Sequence, residues 1–73
     1  MLEREWDDPD GDTISVRLRG TDEPYKPSPG MYPIAIEVTD NSGDYYARDN
    51  TVYLTTEQAV QMIGHLMRCV AEA

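Results

Sequence analysis

Seventy-three residues with one cysteine, one histidine and a formal charge of −8 make a small acidic chain with few ways to reinforce its core. Cys69 has no second cysteine to pair with, and one Cys with one His cannot complete a tetrahedral zinc shell, which excludes a disulfide or zinc scaffold. The excess of carboxylates opposes direct binding to a phosphate backbone, which needs cations to release counterions.

A chain this short buries only about 60% of the surface its unfolded form exposes, so self-association is the remaining staple and a homodimer is expected. The N-terminus has no basic-then-apolar leader, and no apolar run reaches the ~20 residues of a bilayer span; a cytoplasmic protein without a membrane partner is predicted. The charge is uneven. Glu3, Glu5, Asp7, Asp8, Asp10 and Asp12 stand against Arg4 alone in the first twelve residues, a solvated end or an acidic patch for a basic partner.

Leu2, Arg4 and Trp6 alternate with Glu3 and Glu5, which predicts a short edge strand, with Trp6 as a lid on the core. Asp8-Pro9-Asp10-Gly11 is a reversal signal: proline pre-sets φ, and glycine accepts the left-handed exit. From Thr13 to Arg19, Ile14, Val16 and Leu18 face one way and Thr13, Ser15, Arg17 and Arg19 the other, as in a half-buried antiparallel strand. Residues 20–30 hold Pro24, Pro27 and Pro29, which cannot donate to a ladder; a long stiffened loop is predicted, with Tyr25 and Lys26 as candidate partner contacts.

Tyr32, Ile34, Ile36 and Val38 alternate with Pro33, Ala35, Glu37 and Thr39 in the clearest strand of the chain. Residues 40–44 close a hairpin. The return strand spans 45–54, with Arg48-Asp49-Asn50 read as a bulge and Tyr45 and Tyr46 as exposed contact residues. Thr55-Thr56-Glu57-Gln58 is a capping box, and a helix from 56 to about 71 follows. Its period places Ala59, Val60, Ile63, Leu66, Met67 and Val70 on one face, Met62 and Cys69 on the flank, and Gln61, His65, Arg68 and Glu72 on the solvent side.

The expected fold is therefore α+β, a single domain over 1–73. It is an antiparallel meander of three or four strands with the C-terminal helix packed on one face, Ile63, Leu66 and Val70 against Ile14, Val16, Ile34, Ile36 and Val38.

No arrangement of these residues predicts an active site or a cofactor. The alternating carboxylates Asp8, Asp10 and Asp12 suit a hard cation, but a calcium loop starting at Asp8 needs Gly at 13 and Glu at 19, where this chain has Thr13 and Arg19. Cys69 lies one helical turn from His65 without an orienting carboxylate, which is too little for a nucleophilic pair.

The string from Asp10 to Pro24 (DGDTISVRLRGTDEP) resembles the opening strands of staphylococcal-nuclease-like domains. That resemblance implies a calcium-binding carboxylate at Asp12 and a phosphate-contacting arginine at Arg17 or Arg19. The chain departs from the family in being shorter than its five-stranded barrel and in lacking its later Glu and Arg motif. A broader resemblance, carried by REWDDPDGD at 4–12, VYLTTEQA at 52–59 and the helix after it, is to small proteins encoded by actinobacteria and their phages. It implies a phage or bacterial source without a mechanism.

The function expected is that of a non-catalytic interaction protein, a phage accessory factor that binds a host or phage protein through Tyr25, Lys26, Tyr45, Tyr46, Met62, Leu66 and Cys69. Two alternatives are a nucleic-acid mimic that fills a basic DNA-binding groove and a degenerate calcium-dependent nuclease-like domain.

Overall fold

A computed structural model describes residues 2–20, 27–41 and 48–73. Four strands, β1 (Glu3–Asp7), β2 (Thr13–Leu18), β3 (Ile34–Asp40) and β4 (Arg48–Leu54), precede one helix, α1 (Thr56–Glu72). The strands pair antiparallel in the order β1-β2-β3-β4, so each hydrogen-bonds to its neighbour in sequence. The α+β class and the antiparallel meander are as the alternation predicts, and of the three or four strands expected there are four.

The β1–β2 turn owes its shape to Gly11 and Asp8. Gly11 takes φ +85°, open to it because it lacks a Cβ, and its amide donates to the Asp8 carbonyl at 3.1 Å. The Asp8 carboxylate accepts the amides of Asp10 at 2.9 Å and Asp12 at 3.0 Å, a local side-chain-to-backbone cap that aspartate forms readily. Asp12 in turn accepts the Asn41 amide at 2.7 Å. The tip of the first hairpin is thereby joined to the end of β3.

Two strand expectations need correction. The third strand begins at Ile34 rather than Tyr32; Pro33 has no N–H for the ladder, and its carbonyl instead accepts the Arg19 amide at 2.8 Å. No bulge interrupts β4. Its pairing with β3 runs one-to-one from Ile34↔Leu54 to Asp40↔Arg48, so Arg48, Asp49 and Asn50 sit in regular register. They are polar because they lie at the exposed end of an edge strand, and all three are exposed.

The register sorts the side chains onto two faces. Trp6, Ile14 and Val38 lie across the sheet from one another, as do Val16, Ile36 and Val52, and Leu18, Ile34 and Leu54. The opposite face carries Arg17, Ala35 and Tyr53, and next to them Ser15, Glu37 and Thr51. Among the described residues the buried ones are Ala35, Ser15 and Arg19, at 1%, 7% and 4% exposure, and all three belong to this second face. The apolar face is the open one: Trp6, Ile14, Leu18, Val38 and Val52 are each between 41% and 51% exposed.

Just past the end of β2, on the polar face, stands Arg19. Its guanidinium Nη1 donates to the carbonyls of Pro27 at 2.7 Å and Tyr32 at 3.0 Å. The same group lies 4.2 Å from the centroid of the Tyr53 ring, within range of a cation–π interaction. Arg19 therefore fastens the 27–32 segment to the sheet. The alternation that assigns it to a solvent-facing row is overridden by these long-range partners.

The capping box of α1 forms as predicted. Thr55 Oγ1 accepts the Gln58 amide at 3.1 Å, and the Gln58 side chain accepts the Thr55 amide at 3.0 Å. Packing of the helix does not follow the expectation, because α1 has no buried residue. Ile63, Leu66 and Val70, expected against the sheet, are 58%, 55% and 76% exposed. A single residue, Thr55, joins β4 to α1, and it fixes how the helix leaves the sheet.

Candidate interaction surface

Between the sheet's apolar face and α1 lies an open cleft of about 780 Å³, lined by Trp6, Ile14, Val16 and Ile36 from the sheet and Gln58, Gln61, Met62, His65 and Leu66 from the helix. The sheet side is wholly apolar because the two-residue period delivers Trp6, Ile14, Val16 and Ile36 to one face. The helix side is mixed: two glutamines and a histidine flank Met62 and Leu66.

This composition reverses the expected rotation of the helix. Gln61 and His65, assigned to solvent by periodicity, border the cleft, whereas Ile63, Met67 and Val70 do not. At 100° per residue the cleft-lining row and the centre of the apolar stripe are about 120° apart. The stripe instead forms a second, shallow apolar surface of its own, made by Ile63, Leu66, Met67 and Val70. Leu66 stands at the boundary of both.

Of the seven contact residues read from the sequence, Met62 and Leu66 meet in the cleft. Cys69 is exposed rather than packed on the helix flank, and lies outside the cleft that His65 lines. Tyr25, Lys26, Tyr45 and Tyr46 fall outside the described residues. Trp6, expected as a lid, is 48% exposed at the cleft, with the Arg4 guanidinium 5.6 Å from its ring centroid. The sequence reading missed the cleft contribution of Gln58, Gln61 and His65, for which the chain carries no local signal.

The Asp-rich turn is arranged for structure. Asp8 and Asp12 already accept backbone amides, and among the described residues no three His, Cys, Asp or Glu side chains converge to hold a metal ion. Arg19, one of the two arginines that the nuclease resemblance would assign to phosphate contact, is buried against carbonyls and a ring. Among the described residues no helix is long and apolar enough to cross a membrane. The chain matches no protein-family model, no curated protein and no solved structure.

Proposed function

We propose that this chain is a cytoplasmic, non-catalytic interaction protein whose apolar cleft and helix stripe are covered by other protein chains. The observation that carries the reading is the pair of unfilled apolar surfaces, one on the sheet and one on α1, while among the described residues the buried ones lie on the opposite face of the sheet. Exposed apolar area of this kind marks association sites in soluble proteins. Binding as a homodimer belongs to the same reading, and in the phage setting implied by the sequence resemblance the complex modulates a host or phage protein.

Affinity capture from the source cell tests it, using wild type and Met62→Glu, a substitution at a cleft residue 40% exposed. A stoichiometric protein retained by wild type and lost with Met62→Glu is expected. Equal retention by both would remove the cleft from the reading, and divalent-dependent cleavage of DNA or RNA would replace it with the nuclease alternative.

The strand β1 favours a second reading. Glu3, Glu5 and Asp7 recur at alternate positions of an exposed edge strand, a row of carboxylates that a basic DNA-binding groove would accept. Competition by double-stranded DNA for the captured partner separates the two, since only the mimic shares its site with DNA.

A further inference from the structure

Resting on the interaction reading above, we propose that the occupant of the open sheet face is a second copy of this chain: in a two-fold dimer, the α1 stripe of each protomer lies against the other's sheet.

Area and shape argue first. The chain exposes 6148 Å², whereas a compact monomer of its 8.3 kDa mass exposes about 4,600 Å². The excess, about 1,500 Å², is more than the roughly 800 Å² that each partner contributes to a standard interface. The radius of gyration is 14.0 Å against about 11 Å for a compact chain of this length. Among the described residues, Trp6, Ile14, Leu18, Val38 and Val52 on the sheet face and Ile63, Leu66, Met67 and Val70 on the helix stripe are each more than 40% exposed, so the apolar surface a dimer would bury is present on these two elements.

Width comes next. Four strands at about 4.8 Å spacing make a sheet about 19 Å across, and a helix is about 10 Å in diameter, so one helix covers half of it. A second helix is needed for the other half. The single-residue connection at Thr55 holds α1 with Ile63, Met67 and Val70 off its own cleft, so the stripe cannot serve the sheet it follows. A stripe without a sheet and a sheet face without a stripe are complementary, and two-fold symmetry satisfies both pairs at once.

Charge permits the contact. The helix carries Glu57, Arg68 and Glu72, a small part of the −8 total, while six acids lie in the first twelve residues. Repulsion between copies is concentrated away from the helix.

The test is complementation by sedimentation or light scattering on the full chain. Wild type is expected at twice 8.3 kDa. Val70→Glu on the stripe and Val52→Lys on the sheet face alter residues 76% and 51% exposed, so each variant keeps its fold by circular dichroism and runs as a monomer. Mixed in equal amounts, the two regain a dimer, because one stripe-to-sheet contact is then wild type and the other sets Glu beside Lys. Wild type remaining monomeric at all concentrations overturns the proposal, while the cleft reading stands or falls separately on Met62→Glu capture. A Val52→Lys variant that remains dimeric, or a mixture that fails to dimerise, overturns it in favour of helix-to-helix contact.

Discussion

The Arg19 guanidinium stacks 4.2 Å from the Tyr53 ring centroid while donating to the Pro27 and Tyr32 carbonyls. One side chain thereby joins the end of β2, the strand β4 and the segment leading into β3. Removing it leaves two part-buried carbonyls short of a donor. Arg19→Ala is expected to cost about 2–4 kcal/mol. Arg19→Lys should recover only part of that loss, since an ammonium lacks the planar fork. Urea midpoints measure both; a midpoint unchanged in Arg19→Ala would show that the stack and its carbonyl partners contribute nothing.

The hairpin tip gives a second prediction, because Asp8 spends its carboxylate on two amides. Asp8→Ala should lower stability by about 1–2 kcal/mol, with Asp8→Asn milder because an amide oxygen still accepts. Millimolar calcium should leave the melting temperature unmoved, as ligand binding to the native state alone would raise it. A saturable rise of several degrees would reinstate the metal reading of this turn.

Leu66 distinguishes the single chain from an assembly. At 55% exposure, its truncation to alanine should cost the isolated protomer only about 1 kcal/mol, well short of the 2–5 kcal/mol of a buried leucine. Covered by a partner, the same residue approaches the buried value. Melting of Leu66→Ala against wild type across protein concentration therefore shows a small gap when dilute and a wider one when concentrated.

Gly64 lies about 110° around α1 from the centre of the stripe made by Ile63, Leu66, Met67 and Val70, so a side chain there bears on the helix and not on the proposed contact. Within one chain a methyl group meets open space, so Gly64→Ala should raise helix stability by roughly 0.5–1 kcal/mol, visible as ellipticity in dilute protein. Gly64→Leu should fold equally well and leave association unchanged; association lost with leucine there would place the interface on the Gly64 side of the helix.

What the sequence makes legible is local. The two-residue period fixes which residues share a face of β2 and β3, and Thr55 with Gln58 announces the start of α1, because those signals depend on neighbours a few positions apart. The burial of Arg19 is not legible, since its carbonyl partners stand 8 and 13 residues away along a proline-containing loop. Nor is the rotation of α1. Periodicity defines the stripe correctly through Ile63, Met67 and Val70, but which way the stripe points is set by the backbone at Thr55, and that is tertiary information. The bulge at Arg48-Asp49-Asn50 fails for a related reason: polar residues in a strand signal exposure at an edge as readily as a break in pairing.

A sheet whose spatial order equals its chain order also has a kinetic consequence. Each strand pairs with its chain neighbour across 5, 15 or 7 intervening residues, so β1 to β4 can zip up in sequence; loop-closure entropy grows slowly with length, so even the 15-residue link between β2 and β3 adds little, and folding should be quick for a β-rich chain. The helix completes its chain last, when the apolar sheet face is already formed and open to solvent. Coverage by a second molecule would then be a bimolecular event that follows a unimolecular one. Refolding should show a fast phase independent of concentration, in which strands and helix appear, and a slower one whose rate rises with the amount of protein as Trp6 leaves water.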